Sequence, residues 1–515
     1  MAKIESISDA GAKKFVITAV IVAAALLRFS MMTNHSLWFD EGLSLARIDG
    51  EDLNAIISNL NYTKYDKYQP AYFVALFFWK EILGDSDAVI RSLSAVFGTL
   101  SVLFTTLTAL KIYGKNHALW TAIVISFSSF HIYYSQEARA YALIMFIAAL
   151  ELYLFSNLIF GKSNNRLVSS LLFWVTTAVG CLSSLFIVIF VISVCLSHLL
   201  SAARNIKQWT VFWLPLLLCL LPGIFLYLAS SHSSNFTLYL KTWYGTHILE
   251  NFLFVVYGML AGTTYSVPIS QLRYDQIRVI FEYWPHVILL FLSISLILFG
   301  VAGNLLRSLQ DKMKCPIYRA NFFFSTFIGV AFLISAGFAV ATSINWAPRH
   351  SSHIFPAIAI LIPSSFCYPK PEKFWEKLSK NLGCLGVVLL IAINIYSLTN
   401  YFFDPAHARD DYRSVAEYVT RSDNSKSAAA LLWGDVELLR HYGDMKTVKV
   451  PAHKIDSSDL SEVLSFMTDG SQEVITIINR KYLLKYSVEN ALSDRYSLQS
   501  EKKFTYFHIY EFEKK

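Results

Sequence analysis

Long apolar runs, each followed by a short polar segment, recur along the first four hundred residues of the chain. A helix of roughly 20 apolar residues is long enough to cross a bilayer. A shorter segment, PAYFVALFFWKEILG at 70–84, carries Lys80 and Glu81, so we expect an amphipathic helix lying flat on the membrane. The remaining runs predict a multi-span α-helical membrane protein with about 11 spans, near 14–32, 88–110, 117–134, 140–160, 167–180, 182–200, 209–229, 286–304, 321–343, 353–368 and 382–401.

The loops between these runs indicate an orientation. With 70–84 on the surface, the Lys and Arg residues of the short loops all fall on one side, which the positive-inside rule assigns to the cytoplasm. The N-terminus is then inside and the C-terminus outside. This topology sends four segments to the outer face, 33–69, 131–139, 230–285 and 344–352. Most of the unusual polar clusters lie in them, so we expect the chemistry on the outer face.

The pattern changes after residue 401. Amphipathic stretches such as YRSVAEYVTRS, VELLRHYG, DLSEVLSFM and KYLLKYSVENAL predict helices, and AAALLWG, TVKVPA and EVITIIN predict short strands between them. We therefore divide the chain into a transmembrane domain, 1–401, and a small extracytoplasmic α/β domain, 402–515.

Composition agrees with a chain that lies largely in lipid. Hydrophobic residues make up 55% and charged residues only 16%, against about 25% charged in soluble domains. The net charge of +7 is explained by the loops and needs no nucleic acid. The six cysteines form no CxxC or Cys/His cluster, and no Walker A, GxGxxG or HExxH motif occurs. Nucleotide chemistry is therefore not indicated, and no cofactor is certain.

The first candidate cluster is Asp40–Glu41 in HSLWFDEGLSLA, directly after the first apolar run. Adjacent carboxylates repel each other, and aromatic neighbours raise the cost of keeping them charged. Charge beside a bilayer is expensive and tends to be functional. The alternative is that Asp40 is the N-cap of a short helix through EGLSLARI. Both interpretations can hold together, because a cap fixes the position of a carboxylate.

The second cluster is FHIYYSQEARAYAL, with Gln136, Glu137 and Arg139 where the third and fourth spans meet. An arginine fork suits phosphate recognition. The alternatives for Arg139 are snorkelling and a structural ion pair with Glu137.

Two further clusters combine basic and aromatic residues. Lys64 and Lys67 in YTKYDKYQPAY suit a lipid-headgroup or phosphate contact, or else an ordinary interfacial belt. In INWAPRHSSHIFPAIAIL, Arg349 is a second candidate for a phosphate contact and His350 lies beside it. His350 with His353 is a weak metal signal, because no third ligand has a recognisable spacing.

The order of LWFDEGLSLA, AYFVALFFW, GDSDAVIRSLSAVFGTL, SQEAR and PRHSSHIFPAIAIL resembles the GT-C superfamily of integral-membrane glycosyltransferases. The similarity covers about residues 14–400. Within the bacterial branch, the chain is similar to protein O-mannosyltransferases and lipid A aminoarabinose transferases, which implies that the transmembrane domain, 1–401, is the catalytic one.

The resemblance implies a polyprenyl-phosphate sugar donor and a lipid, glycan or protein acceptor on the outer face. Asp40 would be the general base, with Glu41 contacting the acceptor or orienting the loop. Arg139 and Arg349 would contact the carrier phosphate. Many relatives have a His-Tyr pair at the position where this chain has GCLSSLFIV. The resemblance therefore leaves it undecided whether a divalent cation takes part in the reaction.

A single base without a paired nucleophile fits direct displacement with inversion at the sugar carbon. Two other functions compete with this interpretation. A lipid-linked sugar transporter usually has internal repeats or broken helices, which the sequence does not reveal. A polysaccharide polymerase or ligase would concentrate its charges in one large outer loop, whereas here they are divided among several.

Overall fold

The computed structural model describes thirteen main stretches of the chain and a few short pieces between them. The stretches are 2–50, 70–159, 166–202, 248–268, 282–310, 315–342, 346–367, 373–422, 427–431, 436–443, 448–449, 473–480 and 492–515. The described residues divide into two compact units. The helical unit comprises Met1–Met32 and Gly50–Phe403, and the α/β unit comprises Thr33–Asp49 and Asp404–Lys515.

Helices make up the helical unit. They are α1 Ala2–Phe29, α3 Pro70–Leu83, α4 Asp87–Tyr113, α5 Lys115–Ser126, α6 Ser129–Ser135, α7 Tyr141–Ile159, α8 Arg166–Ser183, α9 Phe186–Ala202, α10 Ile248–Ala261, α11 Trp284–Gln310, α12 Pro316–Thr342, α13 Phe355–Leu361 and α14 Phe374–Phe403, with 3₁₀ turns at Pro348–Ile354 and Ile362–Ser365. The α/β unit contains α2 Phe39–Ile48, a 3₁₀ turn at Pro405–His407, α15 Tyr412–Ser422, α16 Val436–Tyr442 and five strands.

Six described helices are long and apolar enough to cross a membrane, namely Asp87–Tyr113, Tyr141–Leu158, Arg166–Ser183, Trp284–Arg307, Pro316–Ala341 and Phe374–Phe403. The chain is therefore an integral multi-pass membrane protein. Each of the six coincides with an expected span, and two shorter apolar helices lie at Phe186–Ser201 and Ile248–Ala261. The total of about 11 spans stays a prediction.

Two of the expected spans are not single helices in the structure. The run at 117–134 is divided into α5 and α6, because the hydroxyl of Ser128 accepts a hydrogen bond from the His131 amide and starts a new helix. The run at 353–368 is divided into α13 and flanking 3₁₀ turns, with Pro356 and Pro363 near the breaks. The sequence pattern did not predict α10, which lies within the expected outer loop at 230–285.

The segment at 70–84 forms the expected helix, α3, which begins at Pro70. Proline suits the first position of a helix, where its missing N–H would have no partner. Its buried residues, Tyr72, Phe73, Leu76 and Phe77, share one face. That face packs on α4, where the Tyr72 hydroxyl hydrogen-bonds the Ser94 hydroxyl at 2.8 Å. Its position at the membrane surface stays a prediction.

The buried Arg28 joins three helices at the end of α1. Its guanidinium donates to the carbonyl oxygens of Ala24 at 2.8 Å and Ile125 at 3.0 Å, and bonds His131 Nδ1 at 2.9 Å. Ile125 lies in the last turn of α5, where unpaired carbonyls carry partial negative charge. These carbonyls offset the burial of the guanidinium. The contact also holds α6, which immediately precedes the SQEAR motif.

A mixed sheet forms the centre of the α/β unit. Its strands are β1 Ser427–Leu431, β2 Val448–Lys449, β3 Val474–Arg480, β4 Tyr496–Phe504 and β5 Phe507–Lys514, in the order β2-β1-β3-β5-β4. β1 is parallel to β2 and β3, and β5 is antiparallel to β3 and β4. The expected α/β character is confirmed for these residues.

The structure confirms the two expected helices at 412–422 and 436–443 and the three expected strands. The hairpin of β4 and β5 was missed, because its charged residues, as in YSLQSEKKF, weaken the alternation of apolar and polar positions. It turns at Tyr506, which has a φ of 69°. The expected helices at 459–467 and 481–492 fall largely outside the described residues.

The boundary between the units lies at Phe403 and Asp404, two residues beyond the division expected from sequence. One segment is assigned differently. The sequence placed 33–49 in the first domain, whereas in the structure Thr33–Asp49 packs with the C-terminal residues. The division into a catalytic and an extracytoplasmic domain stays a prediction.

Candidate functional site

Asp40 and Glu41 lie in the first turn of α2. The N-cap of this helix is Trp38, so the interpretation of Asp40 as the N-cap is wrong. The Trp38 amide instead donates to Glu41 Oε2 at 3.2 Å, which satisfies one of the free amides that begin a helix. Both carboxylates therefore lie at the positive end of the helix dipole, which stabilises negative charge.

The two carboxylates have different surroundings. Glu41 is fully buried, and its Oε2 lies 3.4 Å from Nη1 of Arg409, which is also fully buried. Asp40 is only half-buried. A buried ion pair commits Glu41 to the protein interior, whereas part of Asp40 lies at the surface of the unit. The two expected roles of Glu41, contacting the acceptor and orienting the loop, stay predictions.

The backbone before α2 is held by residues from the C-terminal part of the α/β unit. The Ser36 hydroxyl donates to the Asp410 carbonyl oxygen at 2.5 Å and accepts from the Tyr412 amide at 3.1 Å. The Leu37 amide donates to the Tyr442 hydroxyl at 2.7 Å. The segment that carries Asp40 is thus fixed by hydrogen bonds between side-chain hydroxyls and main-chain groups, as well as by the ion pair.

Gln136 ends α6 and is bonded to its neighbours in the helical unit. Its Nε2 donates to the Ser30 carbonyl oxygen at 2.7 Å, and its Oε1 accepts from the Tyr401 hydroxyl at 3.1 Å. Nε2 also lies 3.2 Å from the carbonyl oxygens of Leu27 and Arg28. These carbonyls belong to the C-terminal end of α1, so the glutamine caps that helix. Both polar groups of the side chain are therefore engaged with the protein.

Arg139 is buried in the turn between α6 and α7. Its amide donates to the Glu137 carbonyl oxygen at 2.7 Å, which makes the turn tight. Its own carbonyl oxygen accepts from the Ser94 hydroxyl at 3.3 Å. Because Ser94 also bonds Tyr72, this turn is connected through α4 to α3, which carries the AYFVALFFW motif. Three of the sequence motifs therefore meet here.

Arg349 and His350 lie in the 3₁₀ turn Pro348–Ile354. His350 Nδ1 accepts from the Ala347 amide at 3.1 Å, and its ring stacks on Phe186 with 5.4 Å between centroids. The arginine is half-buried. Pro348 packs so closely on Gly258 that a Cβ there would lie 2.4 Å from the proline Cγ. The turn that carries Arg349 is thus held by α9 and α10.

Tyr134 is a further candidate residue, which the sequence motifs did not indicate. It is buried, and its hydroxyl interacts electrostatically with the Glu137 carboxylate and the Arg349 guanidinium. Its ring makes edge contacts with Phe130 and Tyr141 at about 5 Å. This tyrosine therefore links the SQEAR motif to the turn that carries Arg349. The sequence did contain a signal for this residue, because Tyr134 directly precedes the SQEAR motif.

Neither the two expected lysine contacts nor a group of metal ligands is seen among the described residues. Lys64 and Lys67 lie outside the described residues. Within the part of the chain that the structure describes, no three His, Cys, Asp or Glu side chains are grouped as metal ligands. His353, beside His350, is fully buried and stacks on Phe186. The expected residues therefore divide between the units, with Asp40 and Glu41 in the α/β unit and Gln136, Glu137, Arg139, Arg349 and His350 in the helical unit.

No protein-family model and no curated protein matches the sequence. Among solved structures, the chain is similar to ArnT from Cupriavidus metallidurans in the apo state. The identity is 11%, the match covers 98% of each chain, and the TM-score is 0.58. The chain has the fold of ArnT.

A second ArnT structure, bound to undecaprenyl phosphate, matches with 12% identity and a TM-score of 0.53. That match covers 96% of this chain and 97% of ArnT. The match extends over nearly the whole chain, including the C-terminal residues, so the expected fold is confirmed. At this level of identity, the similarity to ArnT establishes the fold.

Proposed function

We propose that the chain is a membrane glycosyltransferase that moves a sugar from a polyprenyl-phosphate carrier to an acceptor hydroxyl on the outer face of the membrane. The ArnT fold and the bound undecaprenyl phosphate in one ArnT structure support a lipid-phosphate donor. In this proposal, the protein lies in the plasma (inner) membrane, with the N-terminus cytoplasmic and residues 402–515 outside.

The observation that carries the proposal is the different burial of Asp40 and Glu41. Glu41 is buried and paired with Arg409, whereas Asp40 is half-buried on a helix turn that is held by the hydrogen bond from the Trp38 amide to the Glu41 carboxylate. A general base needs this combination of accessibility and fixed position. We propose that Asp40 is the base and that Glu41 positions it.

The reaction would be a single displacement. Asp40 takes the proton of the acceptor hydroxyl while that oxygen bonds the anomeric carbon. The bond from this carbon to the carrier phosphate oxygen breaks, and its electron pair leaves with the phosphate. The configuration at the sugar carbon inverts. A positioned general base contributes roughly 10²–10⁴-fold to such a step.

The carrier phosphate needs cationic contacts that strengthen as charge develops on the leaving oxygen. We propose Arg139 and Arg349 for this role, with Lys64, Lys67 and His350 as further substrate contacts. The grouping of Glu137, Tyr134 and Arg349 supports a polar binding region in the helical unit. Gln136, whose amide is engaged by α1 and Tyr401, would act by holding the SQEAR turn.

The test compares purified wild type, Asp40→Asn and Asp494→Asn in nanodiscs. Asp494 is an exposed carboxylate of the α/β unit and serves as the matched control. A panel of synthetic polyprenyl-phosphate sugars is supplied with an acceptor-containing extract, with and without a chelator. Free carrier phosphate is measured by mass spectrometry.

We expect the wild type and Asp494→Asn to release carrier at equal rates. Asp40→Asn should be slower by about 10²–10⁴-fold while still binding the carrier. Equal release by Asp40→Asn would remove Asp40 as the base. No release from any donor would favour the outer-face polymerase or ligase, or the lipid-linked sugar transporter.

A further inference from the structure

Contacts from residues 404–515 converge on the segment that begins the α/β unit. Arg413 donates to the Thr33 carbonyl oxygen at 3.2 Å, and the Tyr442 hydroxyl accepts from the Leu37 amide at 2.7 Å. Together with the two bonds of Ser36, these contacts hold the chain from residue 33 to the first residues of α2. They come from three places, namely the turn before α15, α15 itself and the end of α16.

The Arg409–Glu41 ion pair extends this support into the helix. Both side chains are fully buried, with 3.4 Å between Nη1 and Oε2. Glu41 also accepts from the Trp38 amide, so the position of Arg409 is transmitted to the first turn of α2. Asp40 lies in that same turn. Removing one partner of a buried pair leaves an uncompensated charge, whereas neutralising both partners is often tolerated.

We propose that the C-terminal residues serve the transfer reaction by holding α2, and that Arg409 is the positioning residue that acts on Asp40 through Glu41. The proposal rests on the proposed function of Asp40. It gives residues 404–515 a role in catalysis that does not require them to touch the substrate.

A direct substrate contact by Arg409 is the competing explanation. Its ion pair with the fully buried Glu41 argues against that role, because this guanidinium is already committed to a carboxylate of the protein. Arg440 provides a contrast within the same unit. It pairs with Glu437 at 2.8 Å, but its side chain is 52% exposed, and exposed pairs contribute little.

The experiment uses the full-length protein in nanodiscs and four variants: Arg409→Gln, Glu41→Gln, the double variant with both changes, and the control Arg440→Gln. Release of carrier phosphate from the active donor gives kcat and KM. Hydrogen exchange, followed by mass spectrometry, separately reports the protection of residues 33–49 and of strand β3.

We expect Arg409→Gln to lower kcat about 100-fold with little change in KM for the donor, because a displacement of about 1 Å has an effect of that size. The double variant should recover at least about 10-fold over Arg409→Gln, because the buried charge no longer lacks a partner. Residues 33–49 should exchange faster in Arg409→Gln, with β3 unchanged. Arg440→Gln should match the wild type in every measurement.

Three results would overturn the proposal. One is an unchanged kcat in Arg409→Gln. Another is a double variant no better than Arg409→Gln, with a raised KM for the donor, which would indicate direct substrate contact. The third is unchanged exchange at residues 33–49. If Arg409→Gln does not fold, the double variant is compared directly with Glu41→Gln. A double variant at least as active as Glu41→Gln supports the proposal, because Arg409 then acts only through the Glu41 carboxylate. A further loss of kcat in the double variant overturns it.

The failure of the proposed function would be recognised separately. In that case the wild type releases no carrier from any donor, and the assignment of Asp40 fails with it. The exchange of residues 33–49 in Arg409→Gln still decides whether Arg409 holds α2. A change in exchange together with a normal kcat would show that Arg409 supports the fold without serving the reaction.

Discussion

The hydroxyl of Tyr401 donates a hydrogen bond to Oε1 of Gln136, with 3.1 Å between the two oxygens. The side-chain Nε2 of Gln136 donates to the Ser30 carbonyl oxygen at 2.7 Å. One glutamine therefore joins the end of α1 to the end of α14. This junction lies directly before Glu137 and Arg139, so its integrity should determine the geometry of the SQEAR turn.

Replacing Gln136 with Leu should destabilise the helical unit, because the carbonyls at the end of α1 lose their donor. An unsatisfied buried group costs about 1–3 kcal/mol. Tyr401→Phe should cost less, since only one hydrogen bond is lost. The apparent melting temperature in nanodiscs, followed by tryptophan fluorescence, measures both effects. Tyr396→Phe is the control, because Tyr396 lies on the same helix and is 47% exposed. A melting temperature of Gln136→Leu equal to that of the control would contradict the role of this junction.

Arg349→Gln should weaken binding of the polyprenyl-phosphate carrier by about 10- to 100-fold, because a charged hydrogen bond contributes about 1.5–3 kcal/mol. Arg349→Lys should lose less than Gln but remain weaker than wild type, since lysine lacks the planar fork. Native mass spectrometry with a carrier titration gives the dissociation constants. Arg166→Gln, an exposed arginine at the start of α8, is the control. Equal affinities for the Arg349 and Arg166 variants would remove Arg349 from the phosphate site.

Tyr134→Phe should keep the aromatic packing with Phe130 and Tyr141 and remove only the hydroxyl. That hydroxyl lies within electrostatic reach of Glu137 and Arg349. We expect the apparent affinity for the carrier to fall about 2- to 10-fold, as for the loss of one neutral hydrogen bond of about 0.5–1.5 kcal/mol. The melting temperature should stay near that of the wild type. A large loss of stability with unchanged carrier affinity would assign Tyr134 to packing alone.

Gly258→Ala should displace the 3₁₀ turn that carries Arg349, since the new Cβ would lie 2.4 Å from Cγ of Pro348. Overpacking of this kind costs about 1–3 kcal/mol. We expect a lower melting temperature together with weaker carrier binding. Gly337→Ala is the matched control, because a Cβ there meets nothing within 4 Å and alanine favours a helix interior. The result that would refute the packing argument is equal behaviour of the two alanine variants.

Local sequence determines much of the helical framework. The long apolar runs predicted the six long helices, and the amphipathic pattern at 412–422 predicted α15 with its observed ends. Breaks within apolar runs were harder to predict. The end of α5 and the start of α6 depend on a hydrogen bond from the His131 amide to Ser128, which composition does not reveal.

The motif residues show the same division between what local sequence predicts and what depends on packing. The sequence alone located Asp40–Glu41 at the start of a short helix and singled out Gln136, Arg139 and Arg349. Their partners could not be predicted, because a buried polar group is satisfied by whatever the packing brings near it. Glu41 meets Arg409, which lies 368 residues further along the chain, and Gln136 meets Tyr401.

By itself, then, the sequence determined which segments are apolar enough for a membrane and which polar clusters interrupt them, because hydrophobic periodicity and helix signals act over a few residues. Only the tertiary structure decided that Thr33–Asp49 packs with Asp404–Lys515 and that Glu41 is closed off while Asp40 is half-buried. Burial and ion pairing depend on contacts between distant parts of the chain, and no local pattern specifies them.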